Sequence, residues 1–190
     1  MSYYFAIVGT RDNPIFELEF GTSKGGGDGV ARFRDDARHL NQFIVHAALD
    51  MVEELQWSNR ELCVVQLALP PFLKRVDSHH NSHVHCFLTG GNVKFMLLMT
   101  AADATAAAAL STSAAHPTSP PSRPATAARP GTSLASNPSS TQTEDAVRQF
   151  MMEVYEYWIK CLLNPFYDVN SSVTSPVFRG RVGNAARKYL

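Results

Sequence analysis

The densest cluster of side chains that could do chemistry is the stretch SHHNSHVHCF, Ser78–Phe87. It holds four of the chain's seven histidines, namely His79, His80, His83 and His85. Imidazole nitrogen is a common ligand for Zn, Cu and Ni. Three of these rings could therefore surround one metal ion, with His83 and His85 on one strand face and His79 or His80 reaching across a turn. Such a site would favour a histidine-dependent metalloenzyme.

The element that carries these histidines limits that chemistry. HVHCFL, His83–Leu88, is a predicted strand, and alternation along a strand puts His83 and His85 on one face and Cys86 on the other. No carboxylate or second Cys/His cluster at ligand spacing lies nearby. We therefore favour a turn and an edge strand rich in histidine over a metal site.

Other arrangements that suggest chemistry are weaker. His46 and Asp50 lie four residues apart on a predicted helix, a spacing typical of a surface pair rather than of acid–base catalysis. The glycine-rich stretch Gly21–Gly29 lacks the order of a phosphate-binding loop, and no GxSxG, HExxH or paired CxxC word occurs. The sequence predicts no enzyme, with no catalytic residue, cofactor or metal ligand.

Composition excludes further classes of protein. The chain has 190 residues with 17 basic and 17 acidic side chains, a balance that argues against binding nucleic acid or an anionic membrane by charge. Its three scattered cysteines make no disulfide framework, which favours a reducing compartment. The start MSYYFAIVGTRDN is not a signal peptide, and no stretch is apolar enough to span a bilayer. We expect a soluble, intracellular protein.

Residues 100–143 differ from the rest of the chain. Ala, Ser, Thr and Pro dominate, six of the eleven prolines lie here, and aromatic residues are absent. Such a segment cannot bury enough apolar surface to offset the entropy lost on ordering. It is predicted to be a disordered insert within a single domain spanning residues 1–190.

The strands are predicted from alternation. In PIFELEF, Phe16, Leu18 and Phe20 share one face and Glu17 and Glu19 the other, as in a strand with one wet side. Tyr3–Val8 and Asn92–Met99 are apolar on both faces, which is typical of central strands. Phe72–Asp77 and His83–Leu88 complete a predicted set of five.

Helices are predicted from apolar residues recurring every three and four positions. The first has a predicted core face of Leu40, Phe43, Ile44, Ala47, Met51 and Leu55. The second, after the insert, has a stripe of Val147, Phe150, Met151, Val154, Trp158, Cys161 and Leu162, ended by Asn164 and Pro165. The third begins at the N-cap Ser175 with Pro176 after it. The order is β-β-α-β-β-β-α-α, an α/β layered domain.

Words spread over about three quarters of the chain resemble those of one family. They are Gly9 with Asp12–Pro14; Phe16, Glu17, Glu19 and Phe20; Asp35–Asp36; Arg38–Ile44; His46–Asp50; Leu73–Lys74; Val76–Asp77; Thr89, Gly91 and Phe95; and Asn164–Tyr167. The chain is similar to the sedlin family of the longin-like (SNARE-like) superfamily, and we interpret it as a fungal member. The resemblance implies an α+β fold in which a five-stranded antiparallel sheet carries the first helix on one face and the last two on the other.

Two segments depart from the family pattern. The insert occupies a position where the family has a short connection, and a surface loop can absorb such length. Cys63–Pro71 lengthens the link before the third strand and is too apolar for a solvated loop. It is either a short extra edge strand or translated intron.

The resemblance also implies a function. Sedlin-family proteins are non-catalytic adaptor subunits of the TRAPP vesicle-tethering complex in transport between endoplasmic reticulum and Golgi. The implied partners are other TRAPP subunits and, indirectly, a Rab GTPase, and the implied location is cytoplasmic, peripheral to endoplasmic reticulum, Golgi and perinuclear vesicle membranes through the complex. The alternatives are a longin-type SNARE, disfavoured because no heptad segment or membrane anchor follows, a small clathrin-adaptor chain, or the metalloenzyme.

Five residues are predicted to bind a partner. Tyr155 and Tyr157 flank the apolar stripe of the second helix, and aromatic surface beyond what the sheet covers would mark a binding patch. Asp50, Glu53 and Glu54 form an acidic end on the first helix, which would be a polar rim. The alternatives are that the tyrosines belong to the core and that the acidic residues form a solvated face.

Overall fold

A computed structural model describes residues 1–24, 26–58, 72–101 and 140–190. The strands are β1 (Ser2–Val8), β2 (Pro14–Gly21), β3 (Phe72–His79), β4 (Ser82–Leu88) and β5 (Lys94–Thr100). The helices are the single turn α1 (Asp35–Arg38), then α2 (Leu40–Ser58), α3 (Thr141–Leu162) and α4 (Pro176–Tyr189). Apart from the extra turn α1, this is the predicted order of elements.

The five strands form one antiparallel sheet in the order β2-β1-β5-β4-β3. β1 and β5 lie at its centre, with Tyr3 opposite Met99 and Ile7 opposite Phe95, and nearly all of their side chains are buried. This confirms that runs apolar on both faces are central strands. The placement of the histidine-rich β4 at an edge was wrong, because β4 pairs with β5 on one side and β3 on the other.

α3 and α4 cover one face of the sheet. The ring of Phe5 in β1 meets the rings of Phe95 and Phe150 edge-on, with centroid distances of 6.2 and 5.3 Å. Such edge-to-face pairs add to the gain from burial itself. The apolar stripe of α3 buries Val147, Phe150, Met151, Val154 and Trp158, as predicted. Its last two predicted members differ, because Cys161 is half-buried and Leu162 is exposed where the helix ends.

α2 covers the other face, which confirms the predicted layers, but it does so with a different set of side chains. The residues that pack on the sheet are Val45, Ala48, Leu49 and Val52. Of the predicted core face, Ile44 and Leu55 are half-buried, whereas Leu40, Phe43, Ala47 and Met51 are exposed. The prediction was wrong because α2 carries two apolar rows, and the row with smaller side chains lets the helix lie close to the sheet.

The ends of the predicted insert differ from the structure by a few residues. β5 runs through Thr100, and α3 begins at Thr141, where the hydroxyl of Ser140 accepts a hydrogen bond from the backbone N–H of Thr143. Ser and Thr at a helix start have the same composition as the insert, so the sequence could not separate them. Residues 102–139 and the segment Cys63–Pro71 lie outside the described residues.

The turn between β1 and β2 is tied to the loop before α4. The N–H and hydroxyl of Thr10 both donate to Oδ1 of Asn170, each at 3.1 Å, and Nδ2 of Asn13 donates to the Asn170 carbonyl at 3.0 Å. The turn itself is closed by the N–H of Gly9, which donates to the Asn13 carbonyl. One of the family words, Gly9 with Asp12–Pro14, therefore fixes this end of the molecule.

The outward edge of β2 is partly occupied by its own chain. Val173 N–H donates to the Ile15 carbonyl at 3.0 Å, the guanidinium of Arg179 donates to the Glu17 carbonyl at 3.1 Å, and Gly21 N–H donates to the Gly29 carbonyl at 2.9 Å. These groups would otherwise face solvent on an open strand edge.

The opposite edge strand, β3, is irregular. Its pairing with β4 shifts register on both sides of Arg75, and Lys74 has a φ of 55°. A bulge of this kind bends and twists an edge strand.

Candidate partner-binding surfaces

The histidine cluster is divided between the two faces of the sheet. His83 and His85 share the face that points towards α3, whereas Cys86 lies in the core beneath α2, as predicted. His79 pairs with Ser82 and so lies on the face opposite His83. Among the described residues, no group of three or more His, Cys, Asp or Glu side chains is placed to hold a metal ion.

His85 is a buried core residue. Its ring stacks on Phe72 with a centroid distance of 6.4 Å. Burial, with further contributions from His83 and Arg75, lowers the pKa of His85 to about 4. The ring is therefore neutral at ordinary pH, and Nδ1 is buried without a hydrogen-bond partner in the structure. Its contact with Phe72 thus makes this histidine part of the packed interior.

A row of apolar side chains is exposed on the side of α2 that faces away from the sheet. We call the exposed apolar residues Leu40, Phe43, Ala47 and Met51 the α2 outer stripe. The ring of Phe43 is 69% exposed. Spacings of three and four residues put all four side chains on one side of the helix. An exposed apolar stripe of this kind is a candidate protein-binding surface.

The predicted acidic residues continue this surface. Asp50, Glu53 and Glu54 are all exposed. Phe43, Ala47, Asp50 and Glu54 follow one another at spacings of four, three and four, so they form a single row along α2. An apolar centre with a charged end has the layout of an interface core and rim. That Asp50, Glu53 and Glu54 bind a partner stays a prediction.

A groove of about 290 Å³ runs beside Phe43, between α2 and the first two strands. Its walls include Tyr4, Pro14, Phe43, His46 and Leu49. The groove is apolar at its base and is large enough to take one or two side chains of a partner. It extends the α2 outer stripe towards the sheet.

The polar side of this region is held by contacts between β2 and the start of α2. Arg38 forms an ion pair with Glu19 at 2.6 Å, and Nε2 of Gln42 donates to a carboxylate oxygen of Glu17 at 3.0 Å. Burial, reinforced by the Glu17 carboxylate, raises the pKa of Tyr4. Tyr4 therefore stays protonated over the ordinary pH range.

Tyr155 faces the sheet rather than solvent. Its half-buried ring lies 5.6 Å from the ring of Phe87 and 6.3 Å from that of Phe95, between centroids. This packing favours the alternative that Tyr155 belongs to the core. A role in partner binding stays a prediction for this residue.

Tyr157 joins α3 to α4. Its hydroxyl donates to Oε1 of Glu153 at 2.5 Å, and the other Glu153 oxygen accepts from Lys188 at 2.9 Å. These two hydrogen bonds lower the pKa of Glu153 to about 2. The guanidinium of Arg181 lies 5.7 Å from the Tyr157 ring centroid, a cation–π contact. Tyr157 is therefore a partly exposed member of a polar seam, and its binding role stays a prediction.

Sequence reasoning missed a second exposed apolar group, which follows α3. Leu163, Phe166, Val169 and Val177 are all exposed, and Phe166 is 95% exposed. Asn164 and Pro165 are predicted to end the helix, and Asn164–Tyr167 is one of the family words, but neither prediction includes an exposed surface. The signal that could have found this group is a large aromatic residue directly after Asn-Pro, where turn chemistry holds the chain at the surface.

Comparison with known proteins decides the family. The family model described as Sedlin matches residues 7–188. The chain belongs to the Sedlin family. The resemblance stated from the sequence words is confirmed, and with it the longin-like arrangement of one sheet between one helix and two.

Curated relatives match the Sedlin-family chain from end to end. The "Transport protein particle 20 kDa subunit" of Schizosaccharomyces pombe is 30% identical over 190 residues, covering 100% of both chains. The "Trafficking protein particle complex subunit 20" of Saccharomyces cerevisiae is 28% identical, covering 100% of this chain and 99% of that protein. A Drosophila melanogaster protein named "Probable trafficking protein particle complex subunit 2" is also 28% identical, covering 100% and 97%. Since yeast and animal relatives match almost equally, the fungal origin stays a prediction.

Membership of the Sedlin family also bears on whether the protein is an enzyme, which was considered above from the sequence alone. The family is non-catalytic, which agrees with the prediction that the chain is not an enzyme. Within the described part of the chain, no helix is both long and apolar enough to cross a membrane.

Proposed function

We propose that this chain is a non-catalytic adaptor subunit of a trafficking protein particle (TRAPP) complex, and that the α2 outer stripe is where another subunit docks. The full-length similarity to proteins named as subunits of such complexes supports the first statement. The exposed row on α2 supports the second and is the observation that carries the proposal. The site would work by binding alone, since it presents apolar and acidic side chains around a shallow groove.

The physical reason lies in the surface that α2 leaves uncovered. Leu40, Phe43 and Met51 would each lose apolar surface to a partner, and burying apolar area yields roughly 25 cal/mol per Å². Large aromatic side chains at the centre of a patch contribute most of the binding energy in typical interfaces. Asp50 and Glu54, at the end of the row, would select a partner with basic residues at the matching position.

The cellular role follows from the complex. The chain would act in transport between the endoplasmic reticulum and the Golgi, in the cytoplasm and at those membranes and perinuclear vesicles. Its partners would be the other subunits, and it would affect a Rab GTPase only indirectly, through the complex. It would reach membranes peripherally, held by the assembly rather than by its own insertion.

The experiment is affinity purification of the tagged chain from its own cells, followed by mass spectrometry of the recovered proteins. We expect the other complex subunits to be recovered with the unmodified chain. Phe43→Glu puts a charge at the centre of the α2 outer stripe, and we expect it to lose at least one subunit. Because Phe43 is largely exposed, the variant should keep the fold and melt at the same temperature.

A matched control is Arg187→Glu, which places the same side chain at an exposed position of α4, on the other side of the sheet. It should recover the full set of subunits. Recovery of no complex subunit with the unmodified chain would overturn the assignment. Full recovery with Phe43→Glu would overturn only the choice of α2 as the docking surface.

A further inference from the structure

The turn after α3 holds its backbone rigidly. Tyr167 N–H donates to the Asn164 carbonyl at 3.0 Å, which closes a four-residue turn, and Phe166 N–H donates to Oδ1 of the Asn164 side chain at 3.2 Å. Pro165 occupies the second position of the turn, where its ring fixes φ near the value the turn requires. The backbone is therefore constrained both before and after Phe166.

A buried anchor fixes the turn to the core. The ring of Tyr167 packs edge-on against Trp158 with a centroid distance of 5.8 Å, and Trp158 is fully buried. The Tyr167 hydroxyl donates to the Ser171 carbonyl at 2.8 Å. Because Tyr167 points inwards, its neighbour Phe166 points out, and its ring is the most exposed large apolar side chain of the described residues.

Phe166 is flanked along the chain by other exposed apolar residues. Leu163 and Val169, each three residues away from it, are exposed as well. Asp168 is exposed beside them and forms no ion pair with the described residues. The turn thus presents one projecting ring, apolar neighbours and one free negative charge.

We propose that Asn164–Asp168 is a recognition turn that inserts the Phe166 ring into an apolar pocket of a partner protein whose rim is basic where it faces Asp168. A projecting ring fits a concave site, and a side chain already held in place loses little freedom on binding. The free carboxylate favours a basic protein rim over a membrane, because the cytoplasmic leaflet is itself negative. α3 lies on the face of the sheet opposite α2, so this contact is separate from the α2 outer stripe and does not depend on the proposed function.

The partner is to be identified by photo-crosslinking. The full-length chain carries p-benzoyl-phenylalanine at position 166, and a second preparation carries it at Arg187 as a control for non-specific capture. After irradiation in cells, the linked residues are mapped by mass spectrometry. We expect one dominant protein, linked from position 166 through residues that line an apolar pocket of that protein.

Affinity for that purified partner then tests the turn. Phe166→Ala should weaken binding at least about tenfold, as loss of a central aromatic anchor does, with an unchanged melting temperature. Asp168→Lys should weaken it by a smaller factor that shrinks as salt is added. The peptide LNPFYD should compete, and LNPAYD should not. Phe43→Ala, the matched exposed phenylalanine on α2, should leave this affinity unchanged.

Three results would overturn the proposal. The first is a set of crosslinks from position 166 no more specific than those from Arg187, and the second is crosslinking mainly to lipid. The third is an affinity for the purified partner that Phe166→Ala changes less than about twofold. If Phe43→Ala abolishes the same contact that Phe166→Ala does, the turn is part of one interface with α2 and the separate site is wrong. None of these results depends on recovering the trafficking complex.

Discussion

The ammonium group of Lys94 lies 2.6 Å from Oδ1 of Asp12, and it joins the start of β5 to the turn between β1 and β2. Lys94 is 1% exposed, whereas Asp12 is 43% exposed. A buried ammonium group needs a partner, because removing a charge from water is costly. Asp12 is held in place with a φ of 56° by its N–H, which donates to the Gly9 carbonyl.

Removing the partner of Lys94 should destabilise the fold. For Asp12→Ala we expect the free energy of unfolding to fall by about 2 kcal/mol, less than for a fully buried pair because Asp12 is partly solvated. Lys94→Met removes the charge and keeps the apolar stem, so it should change the free energy by less than about 1 kcal/mol. Urea unfolding measures both. An equal loss in the two variants would show that packing, not charge, holds this position.

Gly9 should not tolerate a side chain. A Cβ at this position would lie 2.7 Å from Oδ1 of Asn13 and 2.7 Å from Oδ1 of Asn170, so the tie between the β1–β2 turn and the loop before α4 must shift. We expect Gly9→Ala to lower the free energy of unfolding by about 1–3 kcal/mol, in the range of overpacked sites. Gly90→Ala, in the β4–β5 turn, has nothing within 4 Å of its Cβ and is the control. If Gly90→Ala lowered the free energy of unfolding as much as Gly9→Ala does, this account would be wrong.

His85 should make stability depend on pH. Its pKa is about 4 in the fold, below the ordinary value of about 6.5, so the unfolded chain binds a proton at a pH where the folded chain does not. The stability that comes from neutral His85 is fully present above about pH 6.5 and is lost as the pH falls towards about 4. The free energy of unfolding should fall by up to about 3 kcal/mol over this range. Urea unfolding across this range should show a shallower decline for His85→Leu. Phe43→Ala, at an exposed position with no titratable group, is the control and should keep the slope of the unmodified chain.

The two tyrosines that are predicted to bind a partner should differ in how much each one stabilises the fold. Tyr155→Ala removes a ring packed on Phe87 and Phe95 and should lower the free energy of unfolding by about 2 kcal/mol, below the cost for a fully buried ring. Tyr157→Phe removes only the hydroxyl that donates to Glu153, and we expect a loss of about 1 kcal/mol. Thermal unfolding of both variants checks this order. If Tyr155→Ala melts like the unmodified chain, its ring is available to a partner and the core assignment is wrong.

Much of the architecture could be predicted because the local sequence patterns agree with the positions that the strands and helices take in the folded sheet. β1 and β5 are apolar on both faces and are central, and Ser175 with Pro176 marks the start of α4 correctly. The face of α2 could not be predicted, because both of its rows repeat at helical spacing. Only the close approach of Ala48 and Val52 to the sheet decides between them, and that is a property of the packed pair.

The candidate surfaces, too, could be predicted from the sequence only in part. Asp50 and Glu54 were placed on a surface by their charge, and the structure puts them in one row with Phe43. The exposure of Phe43 was not predictable, because a phenylalanine is assigned to the core by default. The only sequence signal for the exposure of Phe166 is its place directly after Asn164 and Pro165. What keeps Phe166 outside is the inward turn of Tyr167 onto Trp158, a contact between residues nine apart whose outcome depends on the whole end of the molecule.

The partly occupied edge of β2 limits how another strand can add to this sheet. A strand edge with open backbone groups adds further strands without limit and without regard to sequence, which is how fibrils grow. Here Val173, Arg179 and Gly29 already use part of that edge, and the bulge at Lys74 distorts the other. Association then depends on side chains such as Phe43 and Phe166, and each of these can contact only one partner at a time. Surplus copies made without their partners would therefore polymerise through strand pairing less readily than a chain with two open edges.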